Sequence, residues 1–415
     1  MPGDYFDGRE KHLAQMLARM VKIATVNPPG LDYRAMVEHL RDRLHTLDMA
    51  TTVHRVPDAD VTAAGVDPAC PRYNVIARWD VGARRTVHFN AHYDVVPVAP
   101  ADWKMAPFSG KIQGGWLYGR GAGDMKGSIV ALLGALEALQ ATGRTPAVNV
   151  EVSFTADEET GGALGAGWIV QRGLVQADYA IECEGASGSR VGVGHNGVLW
   201  LEVQVEGKAA HASSPDRGVN AFEKMSLMVH HLQTLKKRLS SSSRRWRGPD
   251  GHPRQPTINV GGVFGGGEGQ KVNTVPSAAH FTIDRRLVPG ENLAAAEAEL
   301  VQTLAEAARR ADARHHVQAL LRIEPCVVNA QAELPVAFAR SVRSVRRHTA
   351  DFRVTTGFTD LHYFVEDLGL PGIGYGVGGE RAHGADERVS VRDLVQTART
   401  YAHFLVRGVE EPLSS

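Results

Sequence analysis

Acidic and imidazole side chains that could hold cations and activate a water recur in separate segments of this chain. His92 and Asp94 lie in HFNAHYDVVPV, Asp124 in YGRGAGDMKG, Glu158 and Glu159 in FTADEETGG, and His383 in GERAHGADE. Glu184, in DYAIECEGAS, is a further candidate, with Glu182 competing from two residues earlier. Two divalent cations about 3.5–4 Å apart require a shared carboxylate, terminal imidazole and carboxylate ligands, and a separate base for the water. No single segment specifies that chemistry. The set, in a workable order, predicts a two-metal hydrolase.

Each segment alone has a plainer reading. His92 and Asp94 are two apart at a strand end and so point the same way. They suit a metal-ligating imidazole oriented by a carboxylate, or equally a structural His–Asp hydrogen bond. Asp124 falls at the turn before a helix, where backbone N–H groups favour an anion. It could bridge two cations or simply cap the helix. Adjacent side chains at Glu158 and Glu159 diverge, so one can ligate while the other serves as general base; otherwise the pair is an exposed acidic turn. Glu184 could be a surface carboxylate and His383 an ordinary loop histidine. His211, in GKAAHASSP, could stabilise an oxyanion or be structural.

The elements that would deliver these side chains read as an α/β fold. Residues 9–24 carry apolar positions at helical spacing and stop before Pro28–Pro29. Strand-like runs follow at 73–79, 86–93 and 148–154, with a buried helix over 128–143 closed by Gly143. Strand, helix, strand with apolar strands predicts a mostly parallel sheet covered on both faces, with ligands just beyond strand ends. From 198 the pattern changes to half-exposed alternation (198–208 and 316–324), with helices at 220–238 and 291–311. This predicts a small antiparallel α+β domain, 196–324, inserted into a catalytic domain formed by 1–195 and 325–415. The Ser-, Arg- and Pro-rich stretch 239–256 reads as a solvated loop, with a basic cluster that could also meet an anionic substrate or partner.

Composition narrows the function classes. The 415 residues are 43% hydrophobic and 22% charged, which suits a soluble globular protein of two or three domains. Lys+Arg and Asp+Glu both total 46, so bulk charge supports neither a nucleic-acid nor an anionic-membrane partner. The charged MPGDYFDGREKHLAQ segment has no apolar signal core, and no later run reaches spanning length. Three cysteines (Cys70, Cys183, Cys326) argue against a disulfide framework, and Cys183 reads as a small buried hydrophobe. The expectation is a cytoplasmic protein.

Together the segments resemble the metallohydrolase family that includes acetylornithine deacetylase, succinyl-diaminopimelate desuccinylase, aminoacylase and related zinc carboxypeptidases. The likeness runs from HYDVVP through GRGAGDMKG, ADEETGG, GKAAHASSP, NTVP with IDRR, and GFTD to AHGADE. The resemblance implies one metal held by His92, Asp124 and Glu184, and a second by Asp124, Glu159 and His383. Glu158 is then the general base and Asp94 the partner of His92. His211 is implied to reach a neighbouring subunit's active site, which means a homodimer joined through the inserted domain. Asn273 and Arg286 are implied to grip a substrate carboxylate, with Arg285 adjacent as a substitute. The sequence departs from the family pattern at EGAS after Glu184, at DMKGS and at GFTD, where Phe358 adds bulk.

The expected reaction is hydrolysis of the amide bond of an N-acyl amino acid or short peptide, using two divalent ions: zinc, or cobalt or manganese. The alternatives are a non-peptide C–N bond, such as an aryl amine or carbamoyl group, and an inactive metal-binding interaction protein.

Overall fold

A computed structural model describes residues 5–241, 245–267 and 269–409. The chain forms two compact units, one made of Met1–Gly194, Val327–Thr355 and Thr359–Ser415, the other of His195–Cys326 and Thr356–Phe358.

The first unit is built on a nine-stranded sheet. At its centre Asn149–Thr155, Thr86–His92, Tyr179–Ser187 and Gly372–Gly376 lie side by side and run parallel. Antiparallel strands extend both sides, Tyr73–Trp79 and Ala50–Arg55 on one and Arg190–His195 on the other. The central strands are buried almost throughout because helices cover both faces of such a sheet. Gly127–Ala141 is the most deeply set helix: apolar on every side, it buries Ile129, Leu132, Leu133, Leu136 and Leu139. Val391–Arg407 and Glu10–Val21 are amphipathic and turn one stripe inward.

The second unit is a four-stranded antiparallel sheet ordered Thr257–Gly266, Ala278–Leu287, Gly197–Glu206, Arg314–Ile323. Strict alternation along Ala278–Leu287, and along Gly197–Glu206 from Leu199 onward, sends Leu201, Val203, Phe281 and Ile283 to one face. Met228, Leu232, Leu300 and Leu304 of the helices Ala221–Leu239 and Leu293–Ala311 pack there.

The fold class is therefore α/β with a smaller antiparallel α+β unit. The basic stretch 239–256 lies partly outside the described residues. Within it Trp246–Arg247 and Pro253–Arg254 pair as a short hairpin, tied by the Arg254–Asp250 ion pair at 2.6 Å.

Candidate active site

Three of the parallel strands present their carboxyl ends together. His92 closes the strand Thr86–His92 opposite Thr155, and the chain beyond Thr155 turns at once into the short helical turn Glu158–Thr160. Glu184 stands near the end of Tyr179–Ser187. Parallel strands with crossover helices always place these ends on one edge of the sheet, which is why ligand sites form there. Asp124 comes from the irregular turn Ala122–Lys126 that leads into the helix Gly127–Ala141. His383 sits in the loop after Gly379–Glu380 with φ +61, a left-handed conformation few non-glycine residues adopt.

The Asp124 carboxylate lies between two imidazoles. Its Oδ1 is 3.3 Å from His92 Nε2 and its Oδ2 is 3.2 Å from His383 Nε2, while Glu159 Oε2 is 3.0 Å from the same His383 nitrogen. His92, Glu158 and Glu184 offer ligand atoms within 4.8 Å of one another, and so do Asp124, Glu159 and His383. His92 Nε2 is nearer Asp124 than Glu158, whose Oε2 is 3.8 Å away.

These residues fit a pair of divalent cations. Two donors each about 2.0–2.1 Å from a tetrahedral ion stand about 3.3 Å apart, the spacing seen here. Glu159 Oε1 and Glu184 Oε1 are buried without a hydrogen-bond partner, a costly state for carboxylate oxygens unless a cation faces them. His92 Nδ1 lies 3.1 Å from the backbone carbonyl of Asp94, an acceptor only, so Nδ1 carries the proton and Nε2 is left to ligate.

Crowding of acids sets the electrostatics. Burial, then the charge of Glu184, pushes the Glu158 carboxyl well above the usual carboxylate range. Burial does the same to Glu184 despite the His92 imidazole. Burial opposes ionisation of Asp124 too, yet hydrogen bonds from His383 and His92 hold it below its ordinary value. Hydrogen bonds to Asp124 and Glu159 push His383 up to about 10. Burial raises Asp360, in the GFTD segment, to about 7.

Asp94 does more than face His92. Its carboxylate is 3.4 Å from His92 Nδ1, but Oδ1 also accepts the Glu158 N–H and Oδ2 the Glu159 N–H, both at 3.2 Å. The sequence singled it out for the imidazole alone. Glu387 was passed over: completely buried, it accepts N–H bonds from Gly123 at 2.9 Å and Asp124 at 3.1 Å and pairs with Arg120. A signal was present, an acid four residues after His383, but only the fold shows that it clamps the Asp124 turn. Glu182 is fully buried and accepts from Asn90 Nδ2 at 2.9 Å. Glu184, not Glu182, joins the ligand group. Cys183 is buried beside it.

In the second unit His211 pairs with Thr274 in an isolated bridge, and Asn273 O accepts the Ala212 N–H at 3.0 Å, so His211 and Asn273 stand on adjoining strands of one loop pair. His211 Nδ1 contacts Ser213 Oγ at 2.7 Å and accepts the Ser213 N–H at 3.2 Å, which assigns the ring proton to Nε2. Arg285 is buried and holds Glu291 at 2.7 Å, whereas Arg286 is partly exposed and forks onto Asp284 at 2.8 and 2.9 Å. Arg286 is thus the arginine of the pair with a guanidinium open to solvent. Phe358 stacks edge-on against Trp200, ring centroids 6.4 Å apart.

Comparison with known proteins finds relatives along most of the chain. The model of peptidase family M20/M25/M40 matches residues 88–407. A succinyl-diaminopimelate desuccinylase of Paracoccus denitrificans is 29% identical over 408 residues, covering 95% of this chain and 97% of the relative. An acetylornithine deacetylase of Proteus mirabilis is 30% identical over 306 residues, 74% of each chain. An M20 family metallo-carboxypeptidase from Sulfolobus solfataricus shares the fold, with TM-score 0.77, 21% identity and coverage of 95% of this chain and 98% of that one.

Proposed function

Since the chain belongs to peptidase family M20/M25/M40, we propose that it hydrolyses the amide bond of an N-acyl amino acid or short peptide bearing a free carboxylate. It is a metal-dependent hydrolase of C–N bonds, and its relatives include a desuccinylase and a deacetylase by name. The observation that carries the reading is the Asp124 carboxylate set between His92 and His383, flanked by the orphaned oxygens of Glu159 and Glu184.

His92, Asp124 and Glu184 would hold one divalent cation, and Asp124, Glu159 and His383 the other. Zinc suits these imidazole and carboxylate donors, as do cobalt and manganese. Bound there, the cations would polarise the scissile carbonyl and lower the pKa of the attacking water toward about 7. Glu158 takes a proton from that water as its oxygen bonds to the carbonyl carbon. The same carboxyl then gives the proton to the leaving nitrogen as the C–N bond breaks. Burial beside Glu184 makes Glu158 a stronger base than an exposed carboxylate. Asp94 holds Glu158 and His92 in their relative places.

His211, its ring proton on Nε2, donates to the oxyanion from a second subunit. Asn273 and Arg286 take the substrate carboxylate, a task for which a planar guanidinium is suited. This needs a homodimer, and a contact through the second unit is supported by its edge strand Thr257–Gly266, which leaves Val263 and Phe264 61% and 70% exposed. No helix among the described residues is long and apolar enough to cross a membrane.

The test is amine release by metal-loaded enzyme from N-acyl amino acids, dipeptides, and aryl or carbamoyl amines, with Glu158→Gln as blank. Turnover of an N-acyl amino acid or dipeptide supports the proposal. Turnover confined to aryl or carbamoyl amines keeps the site and overturns the substrate class.

A further inference from the structure

Behind the Glu158–Glu159 turn lies a buried polar assembly drawn largely from residues 27–72, ahead of the segment that the family model matches. Asp157, the residue before the pair, is held at φ +64, and the turn launches both acids from that strained position. Its carboxylate is held from three sides: by Arg72 Nε at 2.7 Å, Tyr33 OH at 2.8 Å and Asn27 Nδ2 at 3.2 Å. The Asn27 amide also donates to Asp94 Oδ2 at 3.1 Å and so ties together the two aspartates on either side of the acid pair. Asp94 in turn accepts the backbone N–H groups of Glu158 and Glu159.

Arg72 is fixed as tightly as the group it holds. It is 1% exposed, and it donates through NH1 to Pro29 O at 2.7 Å and Cys70 O at 2.6 Å and through NH2 to Asn27 Oδ1 at 3.3 Å. A Cβ on Gly30 would stand 2.5 Å from Arg72 NH1, and Gly30 has φ +102, so only glycine lets the guanidinium lie against this loop. The loop itself is bound to the His92–Asp94 strand end through Asn27 N–H to Val95 O at 2.9 Å and Val95 N–H to Thr25 O at 2.9 Å.

We propose that Arg72, Asn27 and Tyr33 are positioning residues for catalysis: they lock Asp157 and Asp94, which set where the Glu158 base and the Glu159 ligand point. The inference rests on the roles given above to Glu158 and Glu159. A guanidinium is suited to this place because its planar fork reaches one carboxylate and three carbonyl oxygens at once, which an ammonium cannot. Outer partners of ligating groups typically change metal affinity or activity by about 10–100-fold when removed.

The experiment compares wild type with Arg72→Met, Arg72→Lys and the milder Tyr33→Phe. It reads cobalt affinity, amide hydrogen exchange over residues 156–162, and kcat and KM on whichever panel substrate turns over. In Arg72→Met, cobalt binding should weaken at least about tenfold. Exchange over 156–162 should quicken while the helix Gly127–Ala141 stays protected, and kcat should fall with KM within about twofold. Tyr33→Phe should move the same quantities less, and Arg72→Lys should recover part of the Met loss. Wild-type cobalt affinity and exchange in both Arg72→Met and Tyr33→Phe would overturn the proposal, even if their melting temperatures fell. Should wild type bind cobalt yet hydrolyse nothing in the panel, the functional reading fails, while exchange and cobalt affinity still decide this one.

Discussion

Glu158 and Glu159 are neighbours in sequence whose carboxylates face different partners, and the proposed division into base and ligand follows from where each is aimed. Glu159 Oε2 reaches His383, while Glu158 Oε2 stays 3.8 Å from His92 with burial and Glu184 raising its proton affinity. Replacing Glu158 with Gln keeps the shape and removes the base. We expect kcat to drop about 10²–10⁴-fold with bound metal unchanged, checked by steady-state kinetics beside metal analysis. Near wild-type turnover would remove Glu158 from the mechanism. Both acids were legible as candidates in the DEETGG run, but the double use of Asp94 was not. Two-residue spacing shows that Asp94 can face His92; it does not show that the chain returns 64 residues later to place the Glu158 and Glu159 amides on the same carboxylate.

At the scale of elements the site depends on turns clamped by buried charge. Glu387 fastens the Asp124 turn through Gly121, Gly123 and Asp124 N–H bonds, with Arg120 as its buried counter-ion. Glu387→Ala strands Arg120 and frees the turn, so unfolding free energy should fall by about 3–5 kcal/mol in denaturant titration. A loss below 1 kcal/mol would mean that Arg120 finds water or another acceptor. Strand contact is just as tight at Gly376, where a Cβ would stand 2.1 Å from Cys183 O on the neighbouring Tyr179–Ser187 strand. Gly376→Ala should push that strand and Glu184 aside, costing about 1–3 kcal/mol and weakening metal binding together, by thermal melts and cobalt titration. The strands and helices themselves were readable: period-two and period-3.6 patterns located 73–79, 86–93, 128–143 and the helices of the second unit to within a few residues of Tyr73–Trp79, Thr86–His92, Gly127–Ala141, Ala221–Leu239 and Leu293–Ala311.

For the whole molecule, a metal-free centre is a concentration of like charge. Asp157 and Asp360, raised by burial to about 6 and about 7, keep their protons to higher pH than the unfolded chain does. Glu158 and Glu184 do the same, and His383 keeps its added proton up to about 10. The folded state then binds more protons than the unfolded one, so stability falls as pH rises from about 6 to 8. Lys126, lowered to about 7 by burial, opposes, as do His12, His39, His54, His315 and His403, each lowered by burial away from the metal centre. Chelation should therefore lower the melting temperature more at pH 8 than at pH 6, and cation at about 100 times its Kd should restore about 2.7 kcal/mol per site. Equal losses at both pH values would break the argument. The proposed dimer has its own test: mixing His211→Ala with Glu158→Gln subunits should recover part of the activity, and verified mixed dimers without recovery would exclude action across the interface.

The sequence by itself determined the α/β class and the membership suggested by HYDVVP, GRGAGDMKG, ADEETGG and AHGADE, and it offered the acids and imidazoles as candidates. Those depend on local periodicity and on side-chain chemistry, which a linear chain displays. Only tertiary structure showed that Glu182 is engaged by Asn90 while Glu184, which the resemblance implies, stands in a group that could hold a cation, and that Arg285 is consumed by Glu291. It also decided that Arg72, Tyr33, Asn27 and Glu387 stand behind the acids. Each is a question of which buried group faces which, from 6 residues apart for Arg285 and Glu291 to 264 for Gly123 and Glu387. Burial turns such pairings into strong constraints, because an unpaired charge in the interior is costly, but no spacing along the chain records them.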